Sequence, residues 1–123
     1  MNVTVDQRQN SKVAIISSEN VVINSVNDAL DLMADVHYNH GCDKMLLRKE
    51  QLTEDFFDLR TKLAGDILQK YTNYSMKIAI VGVFVGYNSK SLNDFIYECN
   101  QGDKVFFKQT EAEALDALHG AKF

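Results

Sequence analysis

Residues 78–102, IAIVGVFVGYNSKSLNDFIYECNQG, decide the fold. Ile78 to Val81 is an unbroken apolar run of strand length, as expected where a strand is covered on both faces. Gly82 ends it, and a short loop follows. Ser91 with Asp94 three residues on then supplies the polar start of a helix. Leu92, Phe95, Ile96 and Cys99 recur at helical spacing, and Gly102 stands where that helix should stop. A buried strand followed by an amphipathic helix is half of a parallel crossover unit.

The same unit repeats on either side. Upstream, Met45 to Leu47 reads as a strand, the long acidic stretch Arg48 to Phe57 as a connection, and Leu63, Ile67, Leu68 and Tyr71 as one face of a helix. Before that, Val13 to Ile16 is an apolar strand. It precedes a helix opened by Ser25 with Asp28, carrying Val26, Ala29, Leu30, Met33 and Val36, and closed by Gly41. Downstream, Val105 to Phe107 is a last strand, and Thr110 with Glu113 caps a last helix bearing Ala114, Leu115 and Leu118. At the start of the chain, Val3 and Val5 alternate with polar residues, which suits an edge strand, and Gln7 to Ser11 reads as a hairpin connection. The order is β-β-α-β-α-β-α-β-α. Alternating strands and helices require crossovers and a mostly parallel sheet, so only the first strand should run antiparallel. No proline-, glycine- or serine-rich linker interrupts residues 1–123, which therefore read as one α/β domain.

Composition narrows the function. The 123 residues carry a net charge of −4, with no basic footprint for a phosphate backbone, so nucleic acid is not an expected partner. Cys42 and Cys99 form no disulfide framework, Met1 to Asn10 contains no apolar leader, and no apolar run approaches the roughly 20 residues that span a bilayer. A cytoplasmic protein with no membrane contact is the expectation.

Three polar groupings invite a chemical reading. The turn Thr53-Glu54-Asp55-Phe56-Phe57-Asp58, with Arg60, should lie beyond the carboxyl ends of the strands, where open α/β sheets bind ligands. Paired carboxylates there could act as acid and base or hold a cation. The simpler expectation is that Asp55 or Asp58 caps the following helix while Phe56 and Phe57 plug the sheet edge. His37, His40 and Cys42 offer metal-ligand types but lack a fourth partner, so Cys42 is expected to be a small buried hydrophobe and no metal is assigned. The loop Gly82 to Ser91 leads into a helix N-terminus that could hold an anion with help from Lys90. It lacks the phosphate-loop spacing, and Ser89 or Ser91 is the expected cap. Tyr87 on this loop is a candidate partner contact. No G-x-S-x-G elbow or other nucleophilic constellation is legible, and His119 is expected to complement a helix dipole.

The segments NSVNDALDLMA, GCDKMLL, EDFFDLRTKLAGDILQKY and KSLNDFIYECNQG, between Asn24 and His119, resemble the bacterial family called domain of unknown function 4180. That resemblance implies no activity. The order of elements also resembles the STAS-like domains of anti-sigma factor antagonists, which exchange protein partners when a serine at the start of the second helix is phosphorylated. The corresponding stretch here is Asp58-Leu59-Arg60-Thr61-Lys62-Leu63-Ala64-Gly65, with Leu59 and Arg60 in place of the serines and Thr61 the nearby hydroxyl. The resemblance implies a non-enzymatic regulatory module that binds a protein partner, with homodimerisation possible and no cofactor. Its expected binding residues are Asp55, Asp58, Arg60, Thr61, Tyr87 and Lys90. The alternative is a small-molecule or nucleotide binder, or an enzyme, using the same end of the sheet.

Overall fold

The computed structural model describes residues 1–87 and 89–120. Its elements are β1 (Asn2–Arg8), β2 (Ser11–Ser17), α1 (Val26–His40), β3 (Lys44–Arg48), α2 (Leu63–Asn73), β4 (Lys77–Val81), α3 (Lys90–Gln101), β5 (Val105–Lys108) and α4 (Glu111–Gly120). The five strands form one mixed sheet in the order β1-β2-β3-β4-β5. β1 is antiparallel to β2 and the remaining pairs are parallel.

Sequential order has a direct consequence for the helices. Right-handed crossovers that always step in the same direction must leave their helices on the same face. Accordingly α1, α2 and α3 bury Leu32, Val36, Ile67, Tyr71 and Leu92 with Ala14, Ile16, Met45, Leu47, Ile78, Ile80 and Phe107. The alternate residues Val13, Leu46, Ala79 and Phe106 face the other way, onto Ala114, Leu115 and Leu118 of α4. The continuous apolar runs are thus explained, since each central strand carries two buried faces at period 2. Each fully buried Ile, Leu or Phe contributes on the order of 1.5–3 kcal/mol.

The caps are local and mostly fall where expected. Ser25 accepts from the Asp28 amide at 3.2 Å, while Asp28 reaches one residue further back to accept from the Asn24 amide at 2.9 Å. Gly41 ends α1 in the left-handed region at φ 65°, and its amide and that of Cys42 donate to the His37 and Val36 carbonyls. Thr110 caps α4 through the Glu113 amide at 3.1 Å.

Three boundaries differ from the sequence reading. α3 starts at Lys90, with Ser89 and not Ser91 accepting from the Leu92 amide at 3.1 Å. The hairpin turn is only Gln9 and Asn10, because the ladder persists to Arg8 opposite Ser11. α2 begins at Leu63 behind Lys62, which sits in the left-handed region without a side-chain cap. Neither Asp55 nor Asp58 caps it; Asp58 caps the short turn before it. No helix among the described residues is long and apolar enough to cross a membrane.

Candidate functional site

At the carboxyl end of β3 the chain makes three successive 3₁₀ turns before α2. The first, Lys49–Gln51, is anchored by Gln51, which is buried. Its side-chain amide donates to the Ile16 carbonyl at 3.1 Å and accepts from the Arg48 amide at 2.8 Å. Its backbone carbonyl accepts from the Val22 and Ile23 amides, so the turn is sewn to the segment leaving β2. The second turn, Glu54–Phe57, sends Phe56 and Phe57 into the core. The third, Leu59–Thr61, is held by Asp58, which accepts from the Arg60 amide at 3.1 Å and pairs with its guanidinium at 3.0 and 2.9 Å.

The loop after β4 comes to meet these turns. Gly82 is required because Lys49 passes directly over it: a Cβ there would stand 2.7 Å from the Lys49 Cβ. From that crossing the Lys49 ammonium donates to the Val83 carbonyl at 3.3 Å and lies 4.6 Å from the centre of the Tyr87 ring. Tyr87 stacks on Phe57, with ring centres 5.6 Å apart, and its hydroxyl donates to Glu54 at 3.4 Å. Phe84 fills the space between Phe57 and Phe107. The two connections therefore form one surface, built on Lys49 and an aromatic cluster.

Between them lies a depression of about 750 Å³, lined by Glu54, Asp55, Asp58, Arg60, Tyr87, Ser89 and their neighbours. It does not lie at a topological switch point. The connections leaving β3 and β4 turn to the same face, and divergence comes between β4 and β5, whose following helices lie on opposite faces. Its electrostatics are those of an acidic, hydrated rim. Hydrogen bonds from Arg60 hold the Asp58 carboxyl below its ordinary range, and Asp58 in turn holds the Arg60 guanidinium up. The Arg60 side chain is 91% exposed, and its charge is directed at Asp58. On the loop after β4, Val83 and Val85 are 57% and 82% exposed.

Of the residues expected to bind, Asp55, Asp58, Arg60 and Tyr87 surround this depression, joined by Glu54. Lys90 does not line it. Its ammonium pairs with Asp94 one helical turn on, at 2.6 Å, which draws it along the exposed side of α3 and away from an anion at the helix start. Thr61 is used internally: its hydroxyl lies 2.7 and 2.8 Å from the Asp55 and Asp58 carbonyls and accepts from the Leu63 amide at 3.2 Å. Asn88 of this loop lies outside the described residues.

The other groupings resolve separately. His37 pairs with Asp43 at 3.0 Å and His40 with Asp35 at 3.7 Å, while the Cys42 thiol is buried and donates to the His40 carbonyl. Among the described residues no three His, Cys, Asp or Glu side chains are placed to share a metal ion. His119 does sit in the last turn of α4, but its ring is fixed by side chains: one nitrogen lies 2.7 Å from Asp6 and the other 2.7 Å from the Ser11 hydroxyl. That grouping, like the roles of Lys49 and Gln51, escaped the sequence reading. His119 stands more than 100 residues from both Asp6 and Ser11, and no local spacing announces the grouping. Lys49 beside Gly82 was the more accessible signal, since a glycine directly after a buried strand implies something crossing it closely.

No curated protein matches the chain. The family described as "Domain of unknown function (DUF4180)" matches residues 8–118, nearly the whole length, and the chain belongs to that family.

Proposed function

We propose that the protein is a binding module that recognises a basic, apolar segment of a protein partner across the turns Thr53–Thr61 and the loop after β4. The observation that carries this reading is the exposure of Val83 and Val85 on the same loop as Tyr87, whose hydroxyl reaches Glu54 of the acidic turn. Adjoining aliphatic side chains and an aromatic ring, bordered by carboxylates, match a peptide that offers aliphatic residues beside lysine or arginine. Tyr87 is suited to anchor such a contact because Phe57 and Lys49 already hold its ring, so little rotamer entropy remains to be lost. The element order is that of STAS-like domains, and we read the chain as a regulatory module of that kind. Partner exchange here is assigned to the surface itself, because Leu59 and Arg60 occupy the positions of the switch serines and the Thr61 hydroxyl is engaged by its own turn.

Chemistry in the depression is the weaker reading. A general acid there would need a carboxyl raised by burial, whereas Asp58 is pushed down by an exposed arginine. The volume of about 750 Å³ does fall within the range of small-molecule sites, and this keeps a metabolite or nucleotide as the competing occupant.

The test is selection from a displayed peptide library, paired with a thermal-shift screen against nucleotides and metabolites. We expect enriched peptides combining Lys or Arg with aliphatic residues. Their affinity should fall roughly tenfold or more in Val85→Asp or Tyr87→Ser and weaken with added salt, since the charges are exposed. A protein that enriches no peptide, but is stabilised by about 2.7 kcal/mol at a hundredfold excess of a small ligand over its Kd, would overturn the partner reading.

A further inference from the structure

At the opposite pole, under α4, four side chains from four elements meet in one hydrogen-bond chain. Asp6 of β1 lies 2.7 Å from His119 Nε2, His119 Nδ1 lies 2.7 Å from the Ser11 hydroxyl, and Lys44, the first residue of β3, donates to that hydroxyl at 2.8 Å. The protonation pattern follows from what each group can do. A carboxylate only accepts, so His119 carries a proton on Nε2 and gives it to Asp6. An ammonium only donates, so Ser11 Oγ spends a lone pair on Lys44. In the neutral ring the remaining nitrogen is a bare acceptor, and the Ser11 proton points to it.

This is the connectivity of a serine–histidine–aspartate relay, with the two ring nitrogens exchanged relative to the hydrolase template. Three properties distinguish it from an incidental surface contact. The His119 side chain is only 6% exposed, so the ring is held and little water competes for its nitrogens. Lys44 is buried, which places a cation where an alkoxide would develop, and burial with Lys77 facing it pushes its ammonium down from the ordinary range. Ser11 itself is partly exposed beside the hairpin turn. Arg8 pairs with Asp116 at 2.7 Å and its Nε lies 3.8 Å from the Asp6 oxygen that faces His119, while Lys77 donates to the Asp103 carbonyl at 2.9 Å.

We propose that Ser11 is an activated nucleophile that accepts an acyl group from activated esters, with His119 as its base, Lys44 stabilising the developing charge, and Asp6 positioning the imidazole. In the step, the Ser11 oxygen forms a bond to the carbonyl carbon of the ester while its proton moves to His119 Nδ1. The bond from that carbon to the leaving oxygen or sulfur breaks, and the proton passes from His119 to the leaving group. The products are an acyl ester on Ser11 and the free alcohol, phenol or thiol. No oxidant or metal enters the balance.

The test uses the full chain and p-nitrophenyl acetate at neutral pH. Release of nitrophenolate is followed, and peptide mass spectrometry locates the acetyl group. The expected result is an acetyl on Ser11, formed roughly a hundredfold or more slowly in His119→Gln. Asp6→Asn should slow Ser11 acetylation in the folded chain, and Asp6→Glu should restore part of that rate. Thermal unfolding of each variant shows whether it is folded, and the wild-type adduct is read without any variant. Acetyl groups confined to lysines or the amino terminus would overturn the assignment. So would acetylation of Ser11 at an equal rate in folded His119→Gln, which would make the chain a clasp between α4 and the hairpin and nothing more.

Discussion

Single residues show how strongly this interior favours neutral groups. Tyr71 is fully buried and donates to the Ala29 carbonyl at 2.7 Å, tying α2 to α1, and burial raises its phenol well above the ordinary range. Burial likewise pushes the Cys99 thiol up to about 11, with Glu98 adding to the shift. Both groups hold their protons more tightly in the folded chain than in the unfolded one. The unfolded state therefore binds fewer protons once pH passes the ordinary values of 9.0 for the thiol and 10.0 for the phenol. These two groups make stability decline above about pH 9, while the depressed Lys44 ammonium acts in the opposite sense. The phenol is therefore read as the difference between wild type and Tyr71→Phe in urea midpoints between about pH 7 and 10.5. Tyr71→Phe should lose about 1 kcal/mol at neutral pH and show a shallower alkaline decline. An alkaline slope left unchanged by Tyr71→Phe would contradict the raised phenol.

The connections matter most at the scale of elements. The proposed partner surface depends on the Lys49–Gly82 crossing, because Lys49 carries both the Val83 carbonyl and the Tyr87 ring. Gly82→Ala places a methyl group 2.7 Å from the Lys49 Cβ, close to the backbone, where the lysine cannot swing clear. The expected cost is about 1–3 kcal/mol in urea unfolding, together with changed amide resonances at Val83 and Tyr87. An unchanged midpoint with unchanged resonances would show that the two connections do not bear on each other.

Helix ends illustrate what the sequence discloses and what it conceals. Ser25, Gly41 and Thr110 were legible because a cap acts over three or four residues. The start of α3 stayed open between two residues because Ser89 and Ser91 are equally suitable hydroxyls before the same apolar spacing. Only the bond from Leu92 chooses between them. The start of α2 was hidden for a different reason: Lys62 enters in the left-handed region with no side-chain cap to announce it.

For the whole molecule, the alternation of strands and helices disclosed the sheet, and the convergence of the two acidic and aromatic connections followed from parallel topology. The placement of Lys90 did not follow, since a competing i,i+4 carboxylate is a matter of side-chain choice on an exposed face. The Asp6–His119 pairing was further out of reach, because it joins the first strand to the last helix and depends on how α4 returns under the sheet. The molecule thus has two unlike poles. The carboxyl ends of the parallel strands carry an acidic, aromatic and aliphatic surface, and the opposite pole carries the serine–histidine chain under α4.

We propose partner binding at the first of these poles. Amide chemical-shift mapping of the isotope-labelled chain with a peptide selected as described tests it most directly. Shifts should concentrate in Thr53–Thr61 and Gly82–Ser91 and be lost in Val85→Asp. Shifts centred instead on the β1–β2 hairpin and α4, or on the groove between α1 and α2 beside Tyr38 and Tyr74, would contradict it.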